Sequence, residues 1–161
     1  MSAAVVYSSL TGNTKMLAET IRKTLGEISY FGGPAPEALA ADRIYVGFWT
    51  DKGTCDEAAG AFLESLQGKE VFLFGTAGFG GDPAYFDKVL GRVKEHLDAS
   101  VTVVGTYMCQ GKMPQKVREK FEALKAQGVP DMDARIANFE KALSHPDDMD
   151  LRVLGEKVQA L

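Results

Sequence analysis

A three-layer α/β sandwich, built on a five-stranded parallel sheet of order 2-1-3-4-5 with extra C-terminal helices, is the fold that this sequence predicts. Three observations point to it. Short β-branched and aromatic runs alternate with segments of helical periodicity, and right-handed crossovers then leave a parallel sheet with helices on both faces. The run Val71-Phe72-Leu73-Phe74 is apolar at every position, as a strand covered on both faces would be. No repeat, low-complexity tract or Pro/Gly/Ser linker divides the 161 residues, so one domain over 1–161 is expected.

Taken in order, Ala3 to Ser8 reads as the first strand and stops at a Ser/Thr/Gly/Asn cluster, after which Leu17, Ile21 and Leu25 recur at helical spacing. A weaker second strand is expected over Ile28 to Phe31, with a cramped connection through Gly32-Gly33-Pro34 to the third, Arg43 to Trp49. Thr54 and Glu57 have the spacing of a capping box, opening a helix that turns Ala59, Phe62, Leu63 and Leu66 inward. The fourth strand ends in the glycine-rich stretch Gly75 to Gly81, and a helix with Phe86, Val89, Leu90, Val93 and Leu97 on one face leads to the fifth, Val101 to Tyr107. Beyond Gly111 the pattern is helical: Val117, Phe121 and Leu124, then Ile136, Phe139 and Leu143, then Leu151, Leu154, Val158 and Leu161. Gly128-Val129-Pro130 and His145-Pro146 separate these segments. The last is expected to cover the sheet, and the two before it to be an elaborated connection.

Composition narrows the function classes. A formal charge of −4 and a pI near 5.2 lack the basic face of a nucleic-acid binder. The two cysteines, Cys55 and Cys109, have neither the number for a disulfide framework nor the spacing of a metal knuckle, and a reducing cytoplasm is expected. The start of the chain has no basic n-region and too short an apolar run for a signal peptide or membrane span. No metal site is predicted.

In a sheet of this order ligands sit outside the carboxyl ends of the strands, between strands one and three where the order reverses. Ser9-Leu10-Thr11-Gly12-Asn13-Thr14 follows the first strand directly and runs into a helix, so its amides and hydroxyls can surround an anion at the positive helix end. No Gly-Lys-Ser/Thr makes it a Walker loop, and no Gly-x-Gly-x-x-Gly makes it a dinucleotide fingerprint. A phosphate monoester held by neutral donors fits it; a hydroxyl-rich helix cap with no ligand is the plainer alternative.

Val5-Val6-Tyr7-Ser8-Ser9-Leu10-Thr11-Gly12-Asn13-Thr14 resembles the first strand and phosphate loop of the flavodoxin family, with Ala18 also fitting and Glu19 standing where the family usually has an aliphatic residue. The resemblance covers roughly the first two-thirds of the chain. It implies FMN as cofactor, a flavodoxin-like fold, and a phosphate site formed by Ser9, Leu10, Thr11, Gly12, Asn13 and Thr14. Two further loops would enclose the flavin ring. One carries Trp49, Thr50, Asp51, Lys52 and Gly53, with Trp49 either stacking on the ring or simply closing a buried strand. The other carries Thr76, Ala77, Gly78, Phe79, Gly80 and Gly81, with Phe79 or Tyr85 over the second ring face. The resemblance also suggests that Gly53 turns a carbonyl towards the ring's N5. Asp51, Asp56, Glu57 and Asp82 would disfavour negative charge on the ring.

The function implied is an electron carrier between a reductase and an acceptor enzyme, with no catalytic residue of its own. Its partners are then redox proteins, and it is a monomer or weak homodimer with no nucleic-acid or membrane partner. The alternatives are a reductase acting directly on a quinone or tetrapyrrole, to which the tail beyond Cys109 lends weight because it resembles flavodoxin-like proteins associated with bilirubin reduction, and a flavin-free interaction module. Cys55 is read as a small residue near a helix start or as a dipole-activated thiol, and Gln110 or Lys112 as within reach of a ligand. His96 and His145 are given no catalytic role.

Overall fold

A computed structural model describes all residues, 1–161. Its strands are β1 (Ala3–Tyr7), β2 (Tyr30–Gly32), β3 (Arg43–Asp51), β4 (Thr54–Cys55), β5 (Glu70–Ala77) and β6 (Thr102–Gln110). The helices are α1 (Asn13–Leu25), α2 (Glu57–Glu64), α3 (Pro83–Lys94), α4 (Gln115–Ala126), α5 (Met132–Ala142) and α6 (Asp148–Gln159). The main strands lie in the order β2-β1-β3-β5-β6, all parallel, which is the predicted order 2-1-3-4-5. The added strand, β4, pairs antiparallel with the end of β3.

Period-two alternation divides the strand side chains between two cores. Ala4, Val6, Ile44, Val46, Phe48, Val71 and Leu73 face the side covered by α2 and α3, where Ala59, Phe62, Leu63, Val89, Leu90 and Val93 meet them. Val5, Tyr45, Phe72 and Phe74 face the other side, against Leu17, Ala18 and Ile21 of α1 and Leu154 and Val158 of α6. Helix α6 therefore covers the sheet beside α1, as its periodicity predicts. Helices α4 and α5 pack on each other between β6 and α6, an insertion at the carboxyl end of the sheet. Leu143 and Leu161, predicted to face inward, are exposed because each follows the last turn of its helix.

Four local expectations are corrected. The second strand is shifted to Tyr30–Gly32, and its crossover is only a 3₁₀ turn, Pro36–Ala40, because too few residues remain for an α-helix. The cap of α2 is Asp56, whose carboxylate accepts from Ala59 N–H; Thr54 belongs to β4. The segment after β3 is a tight hairpin, with Lys52 and Gly53 both at positive φ (52° and 83°), the pair that a type I′ turn requires. The fifth main strand continues through Gln110, paired with Ala77, so Cys109 and Gln110 lie in the sheet instead of following it.

Candidate functional site

Strand β1 connects outward to β2 while β3 connects the other way to β5, so the crevice at their carboxyl ends opens between the Ser9–Thr14 loop and the ends of β3 and β5. A cleft of about 210 Å³ lies there. It gathers Leu10, Thr11 and Asn13 from the first loop, Trp49 and Thr50 from β3, and Thr76 to Phe79 from the end of β5. The three segments singled out in the sequence thus meet in one place.

At the loop, Gly12 adopts a left-handed φ of 93° just before α1. Gly12 N–H donates to Ser9 Oγ at 3.1 Å and Lys15 N–H reaches the same oxygen at 3.4 Å. A serine oxygen that accepts two amides still has its own hydrogen to give. The amides of Leu10 and Thr11 donate to no acceptor in the chain, and those of Asn13 and Thr14, in the first turn of α1, have no carbonyl four residues back. Two side chains act differently from expectation. Thr14 Oγ1 donates to the Phe48 carbonyl (3.0 Å), and Asn13 Nδ2 donates to the Lys112 carbonyl (2.8 Å), so both are committed to holding the loop on its neighbours.

Trp49 is anchored by its backbone. Its N–H donates to Asp56 Oδ1 (3.1 Å), and its carbonyl accepts from Asp56 N–H (3.0 Å). Asp56 is only 3% exposed and is tied up as this anchor and as the cap of α2. Phe79 also lines the cleft, 60% exposed, with the Arg135 guanidinium 5.9 Å from its ring centroid. Tyr85 lies in α3 against the core, away from the cleft, where burial raises its phenol pKa. Asp51, Lys52 and Gly53 form the hairpin outside the lining, and the Gly53 carbonyl accepts from Arg92 Nη1 at 3.1 Å. Gly80 and Gly81 line a different, wider depression of about 700 Å³, bounded also by Phe86, Lys141 and His145; it touches neither Trp49 nor the Ser9–Thr14 loop.

Of the remaining wall, the sequence singled out only Lys112. Gly111, Lys112, Met113, Pro114 and Val117 close the cleft from the side of α4. Met113 packs so tightly on Gly78 that a Cβ there would meet its Sδ at 2.7 Å, so this glycine is required by the tail and not by the loop's own turn. Only the apolar Met113-Pro114 start of α4 was available as a signal, and it does not say what it packs on. Two lining residues carry orphaned buried atoms, Asn13 Oδ1 and Thr50 Oγ1. Such groups are expected to find a polar partner in the occupied cleft.

The thiols do not contribute. Cys55 lies in β4, before the cap of α2 instead of in its first turn, and burial raises its pKa. Cys109 is buried under the sheet end and its pKa is raised further by the same cause. His145 Nδ1 lies 2.7 Å from Asp150 Oδ2 at the start of α6, where Asp147 and Asp150 form a capping box.

Residues 4–159 match the family model described as Flavodoxin domain. A curated relative, the flavodoxin-like domain-containing protein BilS of Clostridium symbiosum (strain WAL-14163), is 40% identical over 94% of this chain and 90% of its own. Among solved structures, oxidised Flavodoxin 2 from Bacillus cereus superposes with a TM-score of 0.63 at 20% identity, covering 99% of this chain and 97% of that one. A flavoprotein in complex with FMN from Lactobacillus acidophilus NCFM covers 67% of this chain and 93% of its own, with a TM-score of 0.53 at 15% identity. At those identities the two structures speak for the fold. No helix is long and apolar enough to cross a membrane.

Proposed function

The chain belongs to the flavodoxin family, and from that premise we propose that it is an FMN-binding electron carrier working between a reductase and an acceptor enzyme. One observation carries the reading. The amides that the chain leaves without acceptors at Leu10, Thr11 and the first turn of α1 open onto the same cleft as the two aromatic residues Trp49 and Phe79.

The residues fit the cofactor at both ends. A phosphate monoester takes up backbone amides at a helix N-terminus, where the peptide dipoles favour negative charge, and Ser9 adds a hydroxyl donor, whereas Thr11 Oγ1 donates to the Lys112 carbonyl at 3.5 Å. The orphaned Asn13 Oδ1 and Thr50 Oγ1 suit the hydroxyls of a sugar-like chain between phosphate and ring. Trp49, pinned by Asp56, supplies a fixed flat wall; Phe79 supplies an outer one at the solvent boundary. When bound, FMN takes up and releases electrons at its ring. The protein's part is to hold the phosphate, exclude water from the ring faces and leave an edge exposed. Leu10 and Phe79, each 60% exposed on the rim, offer a partner an apolar contact.

The test is a titration of apoprotein with FMN and with riboflavin, followed by stepwise photoreduction. FMN is expected to bind at least about 100-fold more tightly than riboflavin, the worth of two or so charge-assisted hydrogen bonds. Equal affinity for the two would remove the phosphate reading, and failure to bind FMN would leave the interaction-module alternative. The wall of Met113, Pro114 and Val117 favours a second reading, direct reduction of a quinone or tetrapyrrole in a sheltered cleft. Rapid oxidation of a reduced nicotinamide by the purified protein alone would favour that reading over the carrier.

A further inference from the structure

The α4–α5 insertion is joined to the ring end of the cleft by a closed set of amide hydrogen bonds. Asn138 Nδ2, from α5, donates to the Gly78 carbonyl at 2.8 Å. Gln110 Nε2, at the end of β6, donates to the same carbonyl at 3.3 Å and to Asn138 Oδ1 at 3.1 Å. Gln110 is only 5% exposed, so its amide is held in place by burial as well as by these bonds. Met113 presses on Gly78 from the start of the same insertion, and Arg135 of α5 lies over the Phe79 ring.

The peptide between Gly78 and Phe79 is a rigid plane in which the carbonyl and the following N–H point in opposite directions. A carbonyl fixed towards Asn138 and Gln110 therefore sends the Phe79 N–H the other way. That amide donates to no acceptor in the chain, and Gly78 and Phe79 both line the cleft. We infer that Asn138, supported by Gln110, is a positioning residue: by turning the Gly78 carbonyl outward it aims the Phe79 N–H into the cleft, as a donor to the carbonyl edge of the flavin ring. This rests on the FMN reading of the cleft. An amide aimed at an edge that becomes more negative on reduction favours the reduced cofactor, because the dipole is oriented before the charge arrives. The α4–α5 insertion is then part of the redox tuning and not only a cover for the sheet end.

Two variants of the full chain test it. Asn138→Ala removes the donor and the acceptor; Asn138→Asp keeps the shape and the acceptor for Gln110 but sets an oxygen against the Gly78 carbonyl. Both are expected to bind the fully reduced cofactor about fivefold more weakly, the size of one net hydrogen bond. If that factor falls on the fully reduced form alone, the potential of the step that produces it drops by about 40 mV. In the apoprotein both variants should lower the backbone amide order parameters of Phe79 and Gly80 relative to wild type, a readout that needs no flavin. A packing role alone predicts that Asn138→Asp keeps the wild-type order parameters at Phe79 while Asn138→Ala does not, and that result overturns the proposal. So do folded variants, by circular dichroism, with unchanged affinity and potential. Wild-type protein that takes up no FMN overturns the cofactor reading, and this inference falls with it; uptake of FMN with no effect of either variant overturns this inference alone.

Discussion

Replacing Asp56 by alanine removes two hydrogen bonds at once from a residue only 3% exposed: the cap on α2 through Ala59 N–H (3.2 Å) and the anchor on Trp49 N–H (3.1 Å). Loss of an N-cap costs about 1 kcal/mol. A buried amide left without an acceptor costs about 1–3 kcal/mol more, so Asp56→Ala is expected to lower stability by about 3 kcal/mol. Asp56→Asn keeps one carbonyl acceptor for the two amides and should lose about half as much. Urea unfolding followed in parallel by far-ultraviolet circular dichroism and by the fluorescence of Trp49, the single tryptophan, measures the global loss and reports on its local environment. The Ala variant should also show a shifted Trp49 emission in the native baseline. A loss below about 1 kcal/mol with an unaltered baseline would refute the claim that Asp56 holds both the helix start and the Trp49 backbone.

Gly53→Ala places a Cβ against Arg92 Nη1 at a φ of +83°, so the Arg92 bond to the Gly53 carbonyl is lost along with the preferred turn residue. A destabilisation of about 1–2 kcal/mol is expected, and coupling to Arg92→Ala in a double-mutant cycle identifies that bond as the cause; additive effects would exclude it. Both thiols are buried with raised pKa values, so an aromatic disulfide reagent at about pH 8 should label neither Cys55 nor Cys109 in the native protein and both in urea. Fast labelling of native protein would show an opening that the packing does not predict. Hydrogen bonds from Ser2 to Asp42, from Ser100 to Asp98 and from the Asp150 amide to Asp147 hold these carboxyls below the usual aspartate value of 3.8. Their contribution is complete above that value and is lost as pH falls through the lower folded values, so the urea midpoint should decline below about pH 4, and less steeply in Asp42→Asn. An identical slope in that variant would assign the acid sensitivity elsewhere.

Much of the fold was legible because its determinants are local. Alternation in Ile44 to Phe48 and helical spacing in Leu17, Ala18 and Ile21 are written in consecutive residues, and the two cores use them as their periods require. The misread boundaries lie where strand pairing outranks a helix-cap or loop pattern. Thr54 with Glu57 has the spacing of a capping box, yet Asp56 takes the cap because β4 draws Thr54 into a hairpin. Gln110 looked like a loop residue after Tyr107, but pairing with Ala77 extends β6 past the glycine-rich segment.

The candidate site divides in the same way. The chain order of Ser9 to Thr14, after a strand and before a helix, by itself determined a loop that presents amides without acceptors at a helix start, since each donor belongs to one continuous stretch of backbone. Trp49 and Phe79 were recognisable because each ends or follows a strand whose place in the sheet could be deduced. Only the tertiary structure decided what meets them: the Lys112 carbonyl on Asn13, Asp56 on the Trp49 amide, and Asn138 on the Gly78 carbonyl. A backbone carbonyl or amide looks the same at every position in a sequence, and a side-chain amide bonds to whichever one packing brings within about 3 Å. Strand-to-strand pairing and the docking of α4 and α5 made those choices, across separations that no local pattern records.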